Sequence, residues 1–264
     1  MHFLLSLSTR NARQYLPVNY QYPLSAVIYR TLQSADSAYA SFLHDTGYRQ
    51  EGSLKSFKFF TFSDLKAPFQ NAGDRLLLLT REAELVVSFH LPNAAEHFIK
   101  GLFQDQQIEI GDQKSRVNFT VDQVSALPLP FAGAGTEEVI LQPISPVVAG
   151  NKNEKGEYTF LSPEHPDFIS RLNYNWKEKY ATIYGAAEAE KVFDGVQLSV
   201  LFYNNPPKSR LVTIKAFSPA ETKIRGFVNF RLRARANTAA MELLLNTGAG
   251  IYNSLGMGCL EIVA

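Results

Sequence analysis

One order of predicted elements, β-α-β-β-α-β, occurs twice in this chain of 264 residues, and this repetition constrains the fold more than any other feature. Alternating apolar residues predict strands, and apolar residues at helical spacing predict helices. In the first half we predict strands at 2–8, 57–62, 75–80, 84–90, 106–110 and 115–126, helices at 23–46 and 92–103, and a hairpin from the pair 75–80 and 84–90.

A Pro- and Gly-rich segment, residues 128–135, predicts a linker, after which the same order returns. The β-α-β-β-α-β order is the split βαβ motif of ferredoxin-like domains. We therefore predict an α+β protein with tandem ferredoxin-like (RRM-like) domains at 1–127 and 136–264. In the second half we predict strands at 137–143, 196–203, 208–217, 222–235 and 259–263, a polar loop at 150–156, and helices at 164–184 and 237–246.

The composition excludes several classes of protein. Hydrophobic residues at 45% and charged residues at 19% can form a full core, which excludes a largely disordered chain. The single cysteine, Cys259, excludes an internal disulfide framework and a cysteine-based zinc site, and it predicts a reducing, cytoplasmic location. Apolar runs such as 76–79 are far shorter than the ~20 residues that span a bilayer, so no membrane partner is expected. Residues 1–8 lack a basic leader and predict a first strand, not a signal peptide.

Positive charge is concentrated in one segment. Residues 206–235 contain eight basic residues and one acidic residue, a net charge of +7, while the rest of the chain carries −6. Such a segment is typical of a protein that binds a polyanion, although a solvated strand face has the same composition. Within it, Arg231, Arg233 and Arg235 recur at period two and therefore share one face of a strand.

Four glycines, Gly248, Gly250, Gly256 and Gly258, lie within eleven residues near the C-terminus. A dinucleotide-binding glycine motif follows a strand and opens a helix, whereas here a predicted helix precedes the glycines, so that class is excluded. A helix C-cap explains only Gly248. The others indicate a backbone that passes close to another backbone or to a ligand, and amides beside the arginine face would suit a phosphodiester chain.

With this loop, the chain resembles the CRISPR-associated (Cas) endoribonucleases that process repeat RNA and belong to the RAMP superfamily. Their hallmark is a C-terminal G-x-G-x5-G-x-G loop, which the four glycines match with Asn253 and Ser254 inside it. Residues 19–24, 28–29, 42–44, 57–63 and 141–146 also resemble the family.

The resemblance implies metal-independent cleavage of CRISPR precursor RNA within its repeats, with no cofactor. The ribose 2′-hydroxyl attacks the adjacent phosphate, leaving a 2′,3′-cyclic phosphate and a 5′-hydroxyl. Members often use a Tyr, a His and a Lys near the first helix, and the matching positions are Tyr29, His44 and Lys58. The residues that we predict to bind RNA are Lys223, Arg225, Arg231, Arg233, Arg235, Gly248, Gly250, Asn253, Ser254, Gly256 and Gly258.

Each candidate suits one step of this reaction. An imidazole titrates near neutral pH, so His44 can act as general acid or base. Lys58 can stabilise the developing oxyanion. Tyr29 can orient or deprotonate the 2′-hydroxyl, although an ordinary phenol with a pKa near ~10 is a poor base. Structural alternatives stay open, because His44 can favour a helix C-terminus, Tyr29 can edge a core and Lys58 can face outward from a strand.

Tyr29 and His44 are 15 residues apart, which on one unbroken helix is about 22 Å, too far to share a phosphate. The site therefore requires a break, and Ser34 or Asp36 can cap a second helix. We predict helices at 23–33 and 36–46. The other histidines, His2, His90, His97 and His165, lack the spacing of a metal site, and we expect them to be structural or exposed.

Two other classes of function stay open. A non-catalytic RNA-binding subunit of a CRISPR effector complex would use the same fold and loop, and a ferredoxin-like protein that binds small molecules would show no salt-dependent affinity for RNA. Homodimerisation, product retention and assembly with other Cas subunits cannot be read from the sequence. Neither can the sequence of the repeat or its folding, because recognition of RNA by shape and splayed bases leaves little trace in a protein sequence.

Overall fold

The computed structural model describes residues 1–131, 133, 135–154, 156–203, 205–216 and 219–263. Its two main antiparallel sheets have five and four strands, with helices packed on one face of each. The elements of the first half are β1 (His2–Thr9), β2 (Tyr15–Pro17), α1 (Gln21–Ala35), α2 (Ser37–Ser41), a π-helical turn (Phe42–Thr46), β3 (Phe60–Phe62), β4 (Phe69–Ala72), β5 (Arg75–Leu78), β6 (Glu82–Phe89), α3 (Pro92–Gln104), β7 (Gln107–Gly111) and β8 (Arg116–Leu127).

The first sheet has the strand order β3-β6-β1-β8-β7. Its first four strands therefore reproduce the arrangement of a ferredoxin-like domain, in which the first strand lies between the third and the fourth. Alternation explains its core, since Leu5 and Leu7 of β1 are buried. Leu24, Ile28 and Leu32 of α1 recur every four residues in the same core.

The second half repeats this order. Its elements are β9 (Thr136–Pro143), β10 (Ala149–Lys152), β11 (Tyr158–Leu161), α4 (Phe168–Tyr184), α5 (Ala186–Asp194), β12 (Gln197–Leu201), β13 (Lys208–Ile214), β14 (Thr222–Val228), β15 (Arg231–Asn237), α6 (Thr238–Thr247), a 3-10 turn (Asn253–Leu255) and β16 (Leu260–Val263). The sheet order β12-β15-β9-β16 again places the first strand between the third and the fourth. The predicted tandem ferredoxin-like fold is confirmed.

The predicted hairpin of 75–80 with 84–90 is wrong. β5 pairs with β2 and β4, while β6 lies between β1 and β3 in the main sheet. Ala72 pairs with Arg75, so β4 and β5 form a hairpin with the two-residue turn Gly73-Asp74, and Gly73 supplies a φ of 66°. The Gly-Asp pair in the sequence is the signal for this turn.

Two predicted elements in the second half are each divided. The strand at 222–235 breaks at Asn229, which has a φ of 63°, so β14 pairs with β13 in a separate hairpin and β15 joins the main sheet. The helix at 164–184 begins at Phe168, and Gly185, with a φ of 91°, separates it from the unpredicted α5. Some residues of the predicted segments lie outside the described residues. They are Ala132 and Ala134 of the predicted linker, Lys155 of the predicted polar loop, Phe217 of the predicted strand 208–217 and Ala264 of the predicted second domain.

A half-buried ion pair joins the two halves. Arg210 of β13 donates to Asp64, which follows β3, at 2.5 Å. The same carboxylate accepts from the Tyr20 hydroxyl at 3.3 Å and from the Gln21 amide at 3.1 Å. Residues 20 and 21 belong to the N-terminal segment that carries the family resemblance, and in this structure they donate to the carboxylate that pairs with Arg210. Among the described residues, no helix has the length and apolar character needed to cross a membrane.

Candidate functional site

The predicted break in the first helical stretch is confirmed and brings Tyr29 to His44. Helix α1 ends at Ala35, and Asp36 caps α2 by accepting a hydrogen bond from the Tyr39 amide at 2.8 Å. The chain then passes into the π-helical turn that carries His44. As a result, the Tyr29 and His44 rings lie 5.2 Å apart between centroids.

Tyr29 is held in a largely apolar position. Its ring also meets Phe60 of β3 edge-on at 5.5 Å, and its hydroxyl lies near the Ser254 side chain. Burial raises the pKa of Tyr29 to about 12. The phenol therefore stays protonated at neutral pH, so this group can donate a hydrogen bond but is not suited to act as a base.

Lys58 approaches His44 from the segment before β3. Its Nζ donates to the His44 carbonyl oxygen at 2.8 Å. Desolvation lowers the pKa of Lys58, against the opposing effect of Asp45. Phe59, the next residue, has a φ of 52°, an uncommon value for a bulky side chain. The chain is therefore sharply turned at the point where Lys58 meets the turn that carries His44.

His44 presents one ring nitrogen to solvent. Its side chain is 68% exposed, and Nδ1 lies 2.7 Å from an Asp45 carboxylate oxygen. A carboxylate only accepts hydrogen bonds, so this contact favours the tautomer with hydrogen on Nδ1. In that tautomer Nε2 carries a lone pair and can accept a proton from a ligand.

The four loop glycines are required by contacts within the protein. A Cβ on Gly250 would collide with the Val148 carbonyl, one on Gly256 with the Phe62 ring, and one on Gly258 with the Ala249 carbonyl. Gly248 has a φ of 77° and caps α6, as predicted. The amides of Gly248, Gly256 and Gly258 donate to the carbonyls of Leu244, Asn253 and Pro146.

These contacts limit what the glycines can offer to RNA. Three of the four amides are already used inside the protein, so the proposed contribution of the glycines is the shape of the loop. Two side chains of the first half hold that loop. Ser25 of α1 donates to the Ser254 carbonyl at 2.7 Å, and Thr61 of β3 donates to the Met257 carbonyl at 3.1 Å. The loop therefore lies directly beside Tyr29.

A fully buried lysine, absent from our predictions, supports the loop from below. Lys179 of α4 donates to the carbonyls of Thr247 and Gly248, at 3.2 and 2.7 Å, and to Asn253 Oδ1 at 2.7 Å. Burial lowers the pKa of Lys179 to about 7. The sequence does contain a signal, because Lys179 falls on the apolar stripe of α4 with Trp176 and Tyr180.

A cleft of about 550 Å³ opens where the loop, α4 and the β10–β11 hairpin meet the segment before β3. Lys58 and Ser254 lie on its wall, and none of the described residues that line it is acidic. On one side Lys55 crosses from the first half to Glu178 of α4 at 3.1 Å. Its basic lining residues are Lys55, Lys58, Lys152, Arg171 and Lys179.

The predicted basic strand lies elsewhere. Arg231, Arg233 and Arg235 alternate along β15 with residues of the core, so they occupy the sheet face turned away from that core. Lys223 and Arg225 are exposed on β14. None of these five residues lines the cleft. The structure thus brings Tyr29, His44, Lys58 and Ser254 together and leaves the arginines on a separate surface.

The remaining histidines have structural surroundings. His2 is buried with Nδ1 at 2.8 Å from the Ser88 hydroxyl, and desolvation lowers the pKa of His2 to about 4. His90 has its pKa lowered to about 4 for the same reason. Within the part of the chain that the structure describes, no group of three His, Cys, Asp or Glu side chains could hold a metal ion.

Comparison with known proteins gives one consistent result. Residues 15–125 match the family "CRISPR-associated protein Cas6, N-terminal", and residues 129–262 match "CRISPR associated protein Cas6, C-terminal". The chain is 32% identical over 190 residues to CRISPR-associated endoribonuclease Cas6 1 of Methanocaldococcus jannaschii, covering 70% of this chain and 67% of that protein. It is 23% identical to CRISPR-associated endoribonuclease Cas6 of Pyrococcus furiosus, covering 99% and 90%. A solved structure described as a RAMP protein binding different RNA substrates has the same fold, with a TM-score of 0.79, 19% identity and full coverage of both chains.

Proposed function

Because this chain belongs to the Cas6 family of CRISPR-associated proteins, we propose that it is an endoribonuclease that cleaves CRISPR precursor RNA within the repeats and needs no metal ion. One observation carries the proposal. Tyr29, His44 and Lys58 converge beside Ser254 of the glycine loop, with the Tyr29 and His44 rings 5.2 Å apart and Lys58 Nζ 2.8 Å from the His44 carbonyl oxygen.

The reaction that suits these groups is attack by the ribose 2′-oxygen on the adjacent phosphorus. His44 Nε2 accepts the 2′-hydroxyl proton as the new O–P bond forms. The Lys58 ammonium stabilises the negative charge that develops on the phosphate oxygens. The bond from phosphorus to the 5′-oxygen then breaks, and the leaving oxygen takes a proton, which the Lys58 ammonium, with its lowered pKa, can donate.

Tyr29 positions the substrate in this scheme. Its phenol, protonated at neutral pH, donates a hydrogen bond to the RNA or to the Ser254 hydroxyl. Its ring holds the His44 imidazole edge-on and fixes the direction of Nε2. The products are a 2′,3′-cyclic phosphate and a 5′-hydroxyl.

RNA must also be held away from the scissile bond. We assign this to the exposed arginine face of β15, with Lys223 and Arg225 of the neighbouring hairpin, and to the loop residues Asn253 and Ser254. Contacts with about 4–6 phosphates would make the affinity fall steeply with salt. A ferredoxin-like protein that binds only small molecules would show no such dependence.

The test is cleavage of end-labelled repeat RNA by purified protein in excess EDTA. We expect cleavage at one site, its loss when the nucleotide on the 5′ side carries a 2′-deoxyribose, and a cyclic phosphate on the upstream product. His44→Ala should reduce the single-turnover rate by at least a hundredfold and leave the Kd for RNA unchanged.

The matched control is His165→Ala, which removes an exposed histidine that does not line the cleft and should cleave like the wild type. Tight binding of RNA that stays intact would contradict the proposal and favour the non-catalytic RNA-binding subunit. Cleavage that EDTA abolishes and Mg²⁺ restores would contradict its metal-independent part.

A further inference from the structure

The cleft beside the glycine loop contains more than the groups that the cleavage step uses. Beyond Lys58 and Ser254, its wall extends over the β10–β11 hairpin and along α4. Its volume of about 550 Å³ is within the range of pockets that hold small ligands and is enough for a nucleotide.

Aromatic rings form one side of this extension. Tyr158 of β11 stacks on Phe160, with the rings 10° from parallel, and Tyr252 of the loop meets Tyr158 at 6.0 Å between centroids. Tyr252 has a φ of 63°, a strained conformation for an aromatic residue that the surrounding loop must enforce. Tyr158 remains 37% exposed, so part of its ring is open to a ligand.

The charge in this extension is positive and not neutralised. Lys152 places its Nζ 5.9 Å from the Tyr158 ring centroid, and Arg171 is exposed on α4. Neither side chain forms an ion pair with any described residue, and the cleft lining, as far as the described residues form it, includes no carboxylate. An aromatic surface with free cations at its edge is how proteins bind unpaired nucleotides, with the base stacked and the phosphate neutralised.

One polar group adds a further requirement. The Asn175 Oδ1 atom is buried, lies in a residue that lines the cleft, and has no hydrogen-bond partner among the residues that the structure describes. A buried carbonyl oxygen without a partner is costly, so a ligand that donates a hydrogen bond there is favoured. The edge of a nucleobase offers amino or imino donors of this kind.

We propose that this extension of the cleft binds one unpaired nucleotide of the RNA, directly adjacent to the scissile phosphate. Its base stacks on Tyr158 with Tyr252 at the edge, its donor edge meets Asn175 Oδ1, and its phosphate lies near Lys152 and Arg171. One part of this proposal, the position of the nucleotide relative to the cut, rests on the proposed cleavage at Lys58 and His44. The pocket itself does not depend on that cleavage.

The experiment uses repeat RNA made uncleavable by a 2′-deoxyribose at the cut, with 2-aminopurine placed in turn at each of the two positions on either side. We expect the fluorescence of one position to be quenched on binding to the full-length protein. Tyr158→Ala should remove this quenching and raise the Kd by roughly 5- to 100-fold, as loss of one stacked base does. Tyr158→Phe should keep both, and Tyr15→Ala, which removes an exposed tyrosine of β2, is the matched control.

A second measurement distinguishes the loss of base stacking from a folding defect in the variant. An abasic site at the quenched position should weaken binding by wild-type protein and have no further effect on Tyr158→Ala, because the same contact is removed twice. Equal, additive losses would overturn the nucleotide pocket even if the wild type cleaves RNA. Position-specific quenching without any cleavage of the unmodified RNA would instead support the pocket and contradict the proposed activity.

Discussion

The Tyr29 ring meets the His44 ring edge-on, with the two planes 81° apart, although the residues are separated by fourteen others in the chain. This contact requires the break between the two helices, where Asp36 caps the second one. Asp36 ends the first helix and starts the second, which turns the chain back so that His44 returns to the side of α1. The distance between the two candidate catalytic groups is therefore controlled by a residue that contacts neither ring.

We expect Asp36→Ala to lower the cleavage rate at least tenfold with little change in the Kd for RNA, because α1 can then extend and move His44. Loss of the cap should also reduce the free energy of unfolding by about 1 kcal/mol. Single-turnover cleavage and thermal unfolding measure the two effects. Asp36→Ser, which keeps a capping oxygen, should restore the rate. The control is His97→Gln, since His97 Nε2 lies 3.7 Å from the other Asp36 oxygen.

Tyr29→Phe should reduce the cleavage rate by less than tenfold. The variant keeps the ring contacts with His44 and Phe60 and loses only the hydroxyl, whose pKa of about 12 makes it a poor base. Tyr29→Ala, which removes the ring, should be far slower. Single-turnover rates from pH 6 to 9 provide the measurement. A loss of a hundredfold or more in Tyr29→Phe would identify the phenol as a proton-transfer group and contradict our scheme.

The sequence predicted the order of the main helices and strands along the chain, the glycine loop and the break at Asp36, because local patterns and one geometric argument determine them. The sequence could not show which contacts require each of these glycines. Their requirement arises from Val148, Phe62 and Ala249, which are distant in sequence or hidden within the same turn. The network of Asp64 with Arg210 has the same origin, since it joins residues 146 positions apart.

The cleft illustrates a further limit. Charge counting selected the segment 206–235, where basic residues are concentrated along the chain, while the cations of the cleft come one or two at a time from several elements. Lys179 looked like an ordinary residue of a charged helix, and only the structure shows that its three hydrogen bonds hold the glycine loop. A periodicity count on α4 would have marked it as a lysine on an apolar face.

Lys179 should make stability depend on pH. Its pKa is about 7 in the folded protein and near 10.5 in the unfolded chain, so between these values the unfolded chain binds more protons. Stability then rises with pH. The burial cost is fully present below pH 7 and disappears above about pH 10.5. Relative to Lys179→Met, wild-type protein should gain about 3 kcal/mol in free energy of unfolding from pH 6 to pH 9.

Denaturant unfolding of both proteins at each pH measures this difference. Lys177→Met is the matched control, because Lys177 lies on the same helix in a surface pair with Glu190 and should show no such trend. A constant difference between Lys179→Met and wild type across this range would mean that Lys179 keeps its proton throughout.

Asp64→Ala should destabilise the protein strongly. The substitution leaves Arg210 without its carboxylate and removes the acceptor of Tyr20 and Gln21 at the junction of the two halves. Because the pair is half-buried, we expect the loss to lie between the ~1 kcal/mol of an exposed pair and the roughly 3 kcal/mol of a buried one. Thermal and denaturant unfolding provide the measurement. Glu84→Ala, which breaks the exposed pair with Lys66, should change stability by less than about 1 kcal/mol, and equal losses in the two variants would contradict the role of Asp64.

The exposed arginine face of β15 should contribute to RNA binding through salt-dependent contacts. Arg233 and Arg235 are exposed on the sheet side of the second half, remote from the cleft lining. If each meets one phosphate, Arg233→Glu with Arg235→Glu should reduce the slope of log Kd against log salt by about 1–2, because single-stranded RNA loses ~0.7 per contact. Lys191→Glu on the helical side of the same domain is the matched control and should leave the slope unchanged. If the double variant keeps the wild-type slope and Lys152→Glu reduces it, RNA does not contact the arginine face and the cleft is the RNA-binding surface.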